Sequence, residues 1–202
     1  MPRLHLLLTA CLIGLFGCQT HNANYNSRLA HHSPSGFSNN YPGREPDMHD
    51  FFRWQWNRLL KPKPEHRADL VSWQAVNLNQ IHSTQGRSAT WLGHASVLIK
   101  SDGIHVLTDP IFSERASPVS WLGPKRIKPL PVDPANLPRI DAVVISHNHY
   151  DHLDLPSLKR LNSQAGGPPL FVVPLGNAEL LKRQGISNVK ALDWWQRIPV
   201  KH

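Results

Sequence analysis

Cysteine is nearly absent from this chain: Cys11 and Cys18 are the two in 202 residues. A small fold held together by disulfides is therefore excluded, since such scaffolds need several bridged pairs. Acidic residues are also scarce, 14 Asp+Glu against 22 Lys+Arg, giving a formal net charge of +8 with His neutral. That balance favours anionic partners such as phosphate esters or acidic lipid and is silent about fold. Long apolar runs are missing as well. Leu6 to Phe16 is the candidate, broken by Thr9 and Gly14, and it falls short of the roughly 20 residues a membrane-spanning helix needs. No internal repeat is visible. What is present is a 40% hydrophobic and 18% charged composition, with 13 His and 7 Trp. The apolar fraction is enough for a core and excludes wholesale disorder.

The N-terminus reads as an export signal. Arg3 supplies a short basic start, the Leu6–Phe16 run follows, and Leu15-Phe16-Gly17-Cys18 closes it. This end resembles a bacterial lipoprotein cleavage box, with an ordinary signal peptide and a chance cysteine as the alternative. The resemblance implies cleavage before Cys18 and lipidation of its thiol. Cys11 would leave with the signal. Gln19 after the cysteine suggests the outer membrane, facing the periplasm. Residues 19–50, rich in Asn, Ser, His, Pro and Gly, read as a flexible tether, because burial there cannot offset the entropy of ordering. His31-His32 within it reads as a solvated polar pair.

The domain is expected over 51–202. Phe52, Trp56, Leu59 and Leu60 recur at helical spacing and Pro62 stops the helix. The stripe suits packing on the domain, with an interfacial helix as the second reading. Short β-type runs follow at 89–92, 96–99 and 104–107, with turn residues Gly93-His94 and Ser101-Asp102-Gly103 between them. The proline-rich segment 110–138 carries Lys125, Arg126 and Lys128 and reads as an ordered loop shaping a pocket mouth. Its basic cluster is either a solvated face or a phosphate contact. Strands at 141–146, 170–173 and 189–192 alternate with helices at 155–162 and about 176–183, so the fold class is α/β.

The chemistry concentrates in Ser146-His147-Asn148-His149-Tyr150-Asp151-His152, directly after the strand DAVVI. On a continuing strand His147 and His149 project to one face, because side chains alternate with period two. Asp151 and His152 follow as the chain turns. Two imidazoles suit one zinc, and a carboxylate with an imidazole suits a neighbouring metal; iron and manganese accept the same donors.

This HxHxDH pattern resembles the metallo-β-lactamase superfamily. Further motifs, Trp91-Leu92-Gly93-His94-Ala95, Leu107-Thr108-Asp109-Pro110, Gly123-Pro124-Lys125-Arg126, Val173-Pro174-Leu175-Gly176 and Leu192-Asp193-Trp194-Trp195, resemble its branch of N-acyl-phosphatidylethanolamine-hydrolysing phospholipases D. The resemblance implies an αββα sandwich, of which this chain holds the N-terminal half, and a two-zinc phosphodiesterase acting on phospholipid. It implies His147 and His149 on one zinc and Asp151 and His152 on the other, with Asp151 also orienting the nucleophile or accepting its proton. Asp109 is read as a carboxylate that fixes a ligand ring, or as a turn cap before Pro110, and His94 as a pocket-lining residue.

The family's second half supplies further ligands. Asp154, Asp193 and His202 are the Asp and His that follow His152, and none lies in a copy of those motifs, so the domain is expected to be incomplete. Two other readings stand beside the phosphodiesterase: a hydrolase of another ester or lactone, and an inactive truncated lipoprotein. Nucleic acid is not expected as a partner, because the basic residues lack an interleaved aromatic platform.

Overall fold

The computed structural model describes residues 21–41, 43, 47–61, 68–83 and 86–200. The signal, Cys18, Pro62 and His202 lie outside these residues. The chain divides into two compact units, Met1–Pro64 and Glu65–His202.

In the first unit, β1 (His32–Ser33) and β2 (Gly36–Phe37) form a small antiparallel pair. Buried Asn22 holds it by donating its amide to Ser33 O at 3.1 Å and Gly36 O at 2.8 Å. His32 is buried too, with Nδ1 near Asn24 O at 3.0 Å. The segment read as a tether therefore carries hydrogen-bonded turns, and His32 is not the solvated residue its neighbours suggested. Asp47 caps α1 (Met48–Leu60) by accepting from Asp50 N. The helix starts three residues before the expected Phe51. None of its residues is buried.

The second unit is built on one six-stranded mixed sheet in the order β3 to β8. β3 (Ser88–Gly93), β4 (Ser96–Ser101) and β5 (Ile104–Thr108) run antiparallel through the two short turns read from the sequence. β6 (Ala142–Val144), β7 (Leu170–Pro174) and β8 (Val189–Leu192) then add in parallel with β5. Parallel neighbours need a crossover. The loop after Asp109 supplies the first, α3 (Leu155–Asn162) the second and α4 (Ala178–Arg183) the third. A short helix, α2 (Leu78–Ser83), precedes β3.

Each crossover helix forms because its sequence satisfies its ends and one face. α3 opens with a proline in its first turn, buries Leu158 and Leu161, and ends in Lys159 and Arg160, cations that suit a helix C-terminus. α4 buries Leu181 and stops where Gly185 adopts φ +83°, the conformation that glycine takes without a Cβ penalty. These faces meet Leu107, Ile140, Val143, Phe171, Val173 and Ile186 in a continuous core. Burial of each large side chain contributes about 1.5–3 kcal/mol. Among the described residues, no helix is long and apolar enough to cross a membrane.

Candidate metal centre

β5 and β6 are adjacent and parallel, pairing Thr108 with Val144. Both chains leave the sheet at the same end, the carboxyl end, where ligands gather in α/β sheets. Asp109 follows β5, and its N–H still donates to Val144 O at 2.9 Å. Residues 146–152 follow β6. The strand is shorter than the sequence suggested, ending at Val144, with Ile145 N donating to Val172 O. His147 thus lies beyond the ladder, and its meeting with His149 is made by the turn rather than by strand alternation.

Asp109 organises that turn. It is buried, at 6% exposure, and has φ +36°. Its Oδ1 accepts from Ser146 N at 2.7 Å and its Oδ2 from Ser146 Oγ at 2.7 Å. The same Oδ2 lies 2.9 Å from His152 Nδ1. With the carboxylate ionised, Nδ1 carries the proton and Nε2 is left as the lone-pair nitrogen. Ser146 Oγ, having donated to Asp109, accepts from His147 Nδ1 at 2.9 Å, which leaves His147 Nε2 bare in the same way.

The bare nitrogens converge. His147 Nε2 is 3.1 Å from His149 Nδ1. His152 Nε2 is 3.4 Å from Asp151 Oδ2, which is 2.9 Å from His94 Nε2. Two donors on a tetrahedral zinc at about 2.0–2.1 Å stand roughly 3.3 Å apart, so these spacings fit divalent metal. His94, Asp151 and His152 offer donor atoms all within 4.8 Å of one another. The rings of His147 and His152 lie 4.0 Å apart, centroid to centroid, joining the two sets into one cluster. Asp151 is opposed by partial burial, which raises a carboxyl pKa. Hydrogen bonds from the residue-151 backbone and His94, with electrostatic attraction to the rings of His152 and His94, outweigh it and hold the pKa below the ordinary value.

Every residue the sequence offered as a ligand is in this cluster, and so is His94, for which only a pocket-lining place was read. A cavity of about 1180 Å³ opens beside it, lined by Trp73, Trp91, Ile127 and Lys128 as well as His94 and His149. That exceeds the roughly 300–1,000 Å³ of ordinary small-molecule sites. The basic loop turns out to be largely self-engaged: Lys125 pairs with Glu114 at 2.7 Å, and Arg126 Nη2 donates to Ile111 O at 2.6 Å. Asp154 has a bracing place instead of a metal one. Buried at 5%, it accepts from Ser113 Oγ at 2.8 Å and from Ser157 Oγ. Asp193 accepts from Trp194 N at 2.8 Å. The bracing pair Asp154–Ser113 spans 41 residues, and no spacing rule reveals it in advance.

Residues 105–202 match the model of the Beta-lactamase superfamily domain. The N-acyl-phosphatidylethanolamine-hydrolyzing phospholipase D 1 of Caenorhabditis elegans is 42% identical over 125 residues, covering 59% of this chain and 35% of that protein. The mitochondrial N-acyl-phosphatidylethanolamine-hydrolyzing phospholipase D of Saccharomyces cerevisiae is 39% identical over 112 residues, covering 55% of this chain and 23% of that protein. The matched stretch thus spans about a third or less of these relatives' length. Among solved structures, CmlA, a diiron beta-hydroxylase from Streptomyces venezuelae, aligns with a TM-score of 0.44 at 25% identity, covering 59% of this chain and 23% of that one.

Proposed function

We propose that this chain, whose residues 105–202 match the model of the Beta-lactamase superfamily domain, is the metal-binding part of a hydrolase that cleaves phosphodiester bonds in phospholipids. The substrate class is that of an N-acyl-phosphatidylethanolamine phospholipase D. The observation that carries the reading is the convergence of His147, His149, Asp151 and His152 at the carboxyl ends of β5 and β6. Two relatives named for that reaction, 42% identical over 125 residues and 39% over 112, support it.

In this reading His147 and His149 hold one metal, taken as zinc, and Asp151 and His152 a second. Such metals supply Lewis-acid polarisation of a phosphoryl group and a water whose pKa falls from about 16 to about 7. The chain's own residues do the positioning. Asp109 fixes the tautomer of His152, and Ser146 passes the same constraint to His147. Asp151, held ionised, is suited to orient a nucleophilic water at the cavity edge. The cavity's Trp73, Trp91 and Ile127 offer apolar wall, with Lys128 as a cation near it, a combination that suits an amphiphile with an anionic head.

The same reading puts the chain at the bacterial envelope, held by lipid on Cys18, where its substrate resides. Radiolabelled palmitate entering the wild type and not Cys18→Ser is the expected result; equal labelling of both would remove the anchor. For the activity, phosphatidic acid release from N-acyl phosphatidylethanolamine is measured beside a panel of soluble esters and lactones with zinc supplied. Turnover confined to the soluble panel would transfer the chain to ester or lactone chemistry.

A further inference from the structure

We propose that His94 is a metal donor, completing with Asp151 and His152 a three-donor site built within this chain; this rests on the metal-centre reading above. A catalytic zinc takes three protein ligands plus water. Among the described residues, the group whose donor atom lies within 4.8 Å of those of both Asp151 and His152 is His94.

The local structure holds His94 for that place. It sits in the turn between β3 and β4 with φ +50°, a region that non-glycine residues enter uncommonly and that, at functional sites, surrounding contacts enforce. Those contacts are present on both sides. Trp91 Nε1 donates to His94 O at 2.8 Å, and Thr108 Oγ1 donates to Ala95 O at 2.8 Å. Ser96 Oγ, buried, donates to Asp109 O at 2.8 Å and accepts from Ile111 N at 3.1 Å. The turn is thereby tied to the loop that carries Asp109, the residue that aims His152. Gly93 before it has φ +105° and no room for a Cβ without pressing Arg126 Nη1, 3.2 Å away. The result is His94 Nε2 at 2.9 Å from Asp151 Oδ2, with its ring edge-on to His152 at 5.3 Å. A ring that merely lined the cavity would not require its backbone to be locked in this way.

The test uses the full chain carrying His147→Ala and His149→Ala, so that one site remains, with cobalt(II) as the probe. Visible absorption reports the ligand field, and chelator competition reports affinity. The double variant is expected to bind cobalt with the strong absorption of a four- or five-coordinate ion. His94→Asn, chosen because Asn tolerates the left-handed backbone, is expected to weaken binding beyond the roughly 10–100-fold that loss of a supporting contact costs, and to bleach the band. His94→Gln can still hydrogen-bond Asp151 but lacks an imidazole, and it is expected to fail equally. Thermal unfolding in chelator, expected to match the parent, checks that both variants fold. Retention of affinity within about threefold in His94→Gln, well below the effect of a lost supporting contact, would make His94 a positioning residue and overturn the proposal. Strong cobalt binding untouched by either substitution would overturn it while leaving the metal centre standing. If wild-type chain takes up no metal, the metal-centre reading fails, and this inference with it.

Discussion

Asp109 and His152 are 43 residues apart in the chain, and Asp109 Oδ2 lies 2.9 Å from His152 Nδ1. The contact exists because β5 and β6 are adjacent parallel strands whose carboxyl ends carry one residue each to the same place. Its chemical consequence is a single tautomer of His152, with Nε2 aimed at Asp151. Asp109→Asn should keep the left-handed backbone and lose the anion. Zinc affinity, measured by chelator competition, is expected to fall about 10–100-fold. Unchanged affinity would show that the carboxylate only caps the turn.

Gly93→Ala tests the turn on the opposite side of the site. At φ +105°, with Arg126 Nη1 3.2 Å from the new Cβ, an L-residue is strained by about 1–3 kcal/mol. A lower midpoint in chemical denaturation is expected, together with weaker metal uptake because His94 follows directly. Wild-type values for both would show that the turn is free to adjust.

The core claim is quantitative in the same way. Phe171 is fully buried on β7. Phe171→Ala should cost about 3–5 kcal/mol, read as a drop in unfolding free energy. A loss below about 1 kcal/mol, the scale of a surface substitution, would contradict the packing described.

A pH effect follows from His105 on β5. Burial lowers its pKa below the ordinary value, aided by the charges of Lys100 and His82 and opposed by Asp141 and a backbone contact with Arg139. The unfolded chain therefore binds this proton more tightly than the folded one. Stability from His105 is complete above the unfolded value of about 6.5 and is lost as pH falls through it toward the lower folded value. His105→Gln should lose less thermal stability than wild type between pH about 7.5 and about 5.5. An equal or larger loss would reverse the sign.

How far the sequence carries depends on which forces act locally. The hairpin turns at Gly93-His94 and Asp102-Gly103, the helix 155–162 and the last strand are all legible from spacing and punctuation, and the structure has them. The candidate donor cluster is legible because four donors, His147, His149, Asp151 and His152, fall within six residues. The strand before it is shorter than the pattern suggests, since the apolar run continues to Ile145 while the strand ends at Val144. Long-range contacts were not legible: His94 with Asp151 joins residues 57 apart and Asp154 with Ser113 joins residues 41 apart. The polar neighbours of His32 predict a solvated ring. It is buried all the same, with its ring edge-on to Phe37 at 4.9 Å.

The central claim is that the clustered imidazoles and Asp151 serve metal-dependent phosphodiester hydrolysis. The direct measurement is release of phosphatidic acid from mixed micelles of N-acyl phosphatidylethanolamine by the zinc-loaded chain, beside chelator-treated protein and His149→Ala. The account predicts release that chelator abolishes, that added zinc restores and that His149→Ala lacks. Release that persists in chelator and in His149→Ala, or none from chain shown to carry its metal, would contradict it.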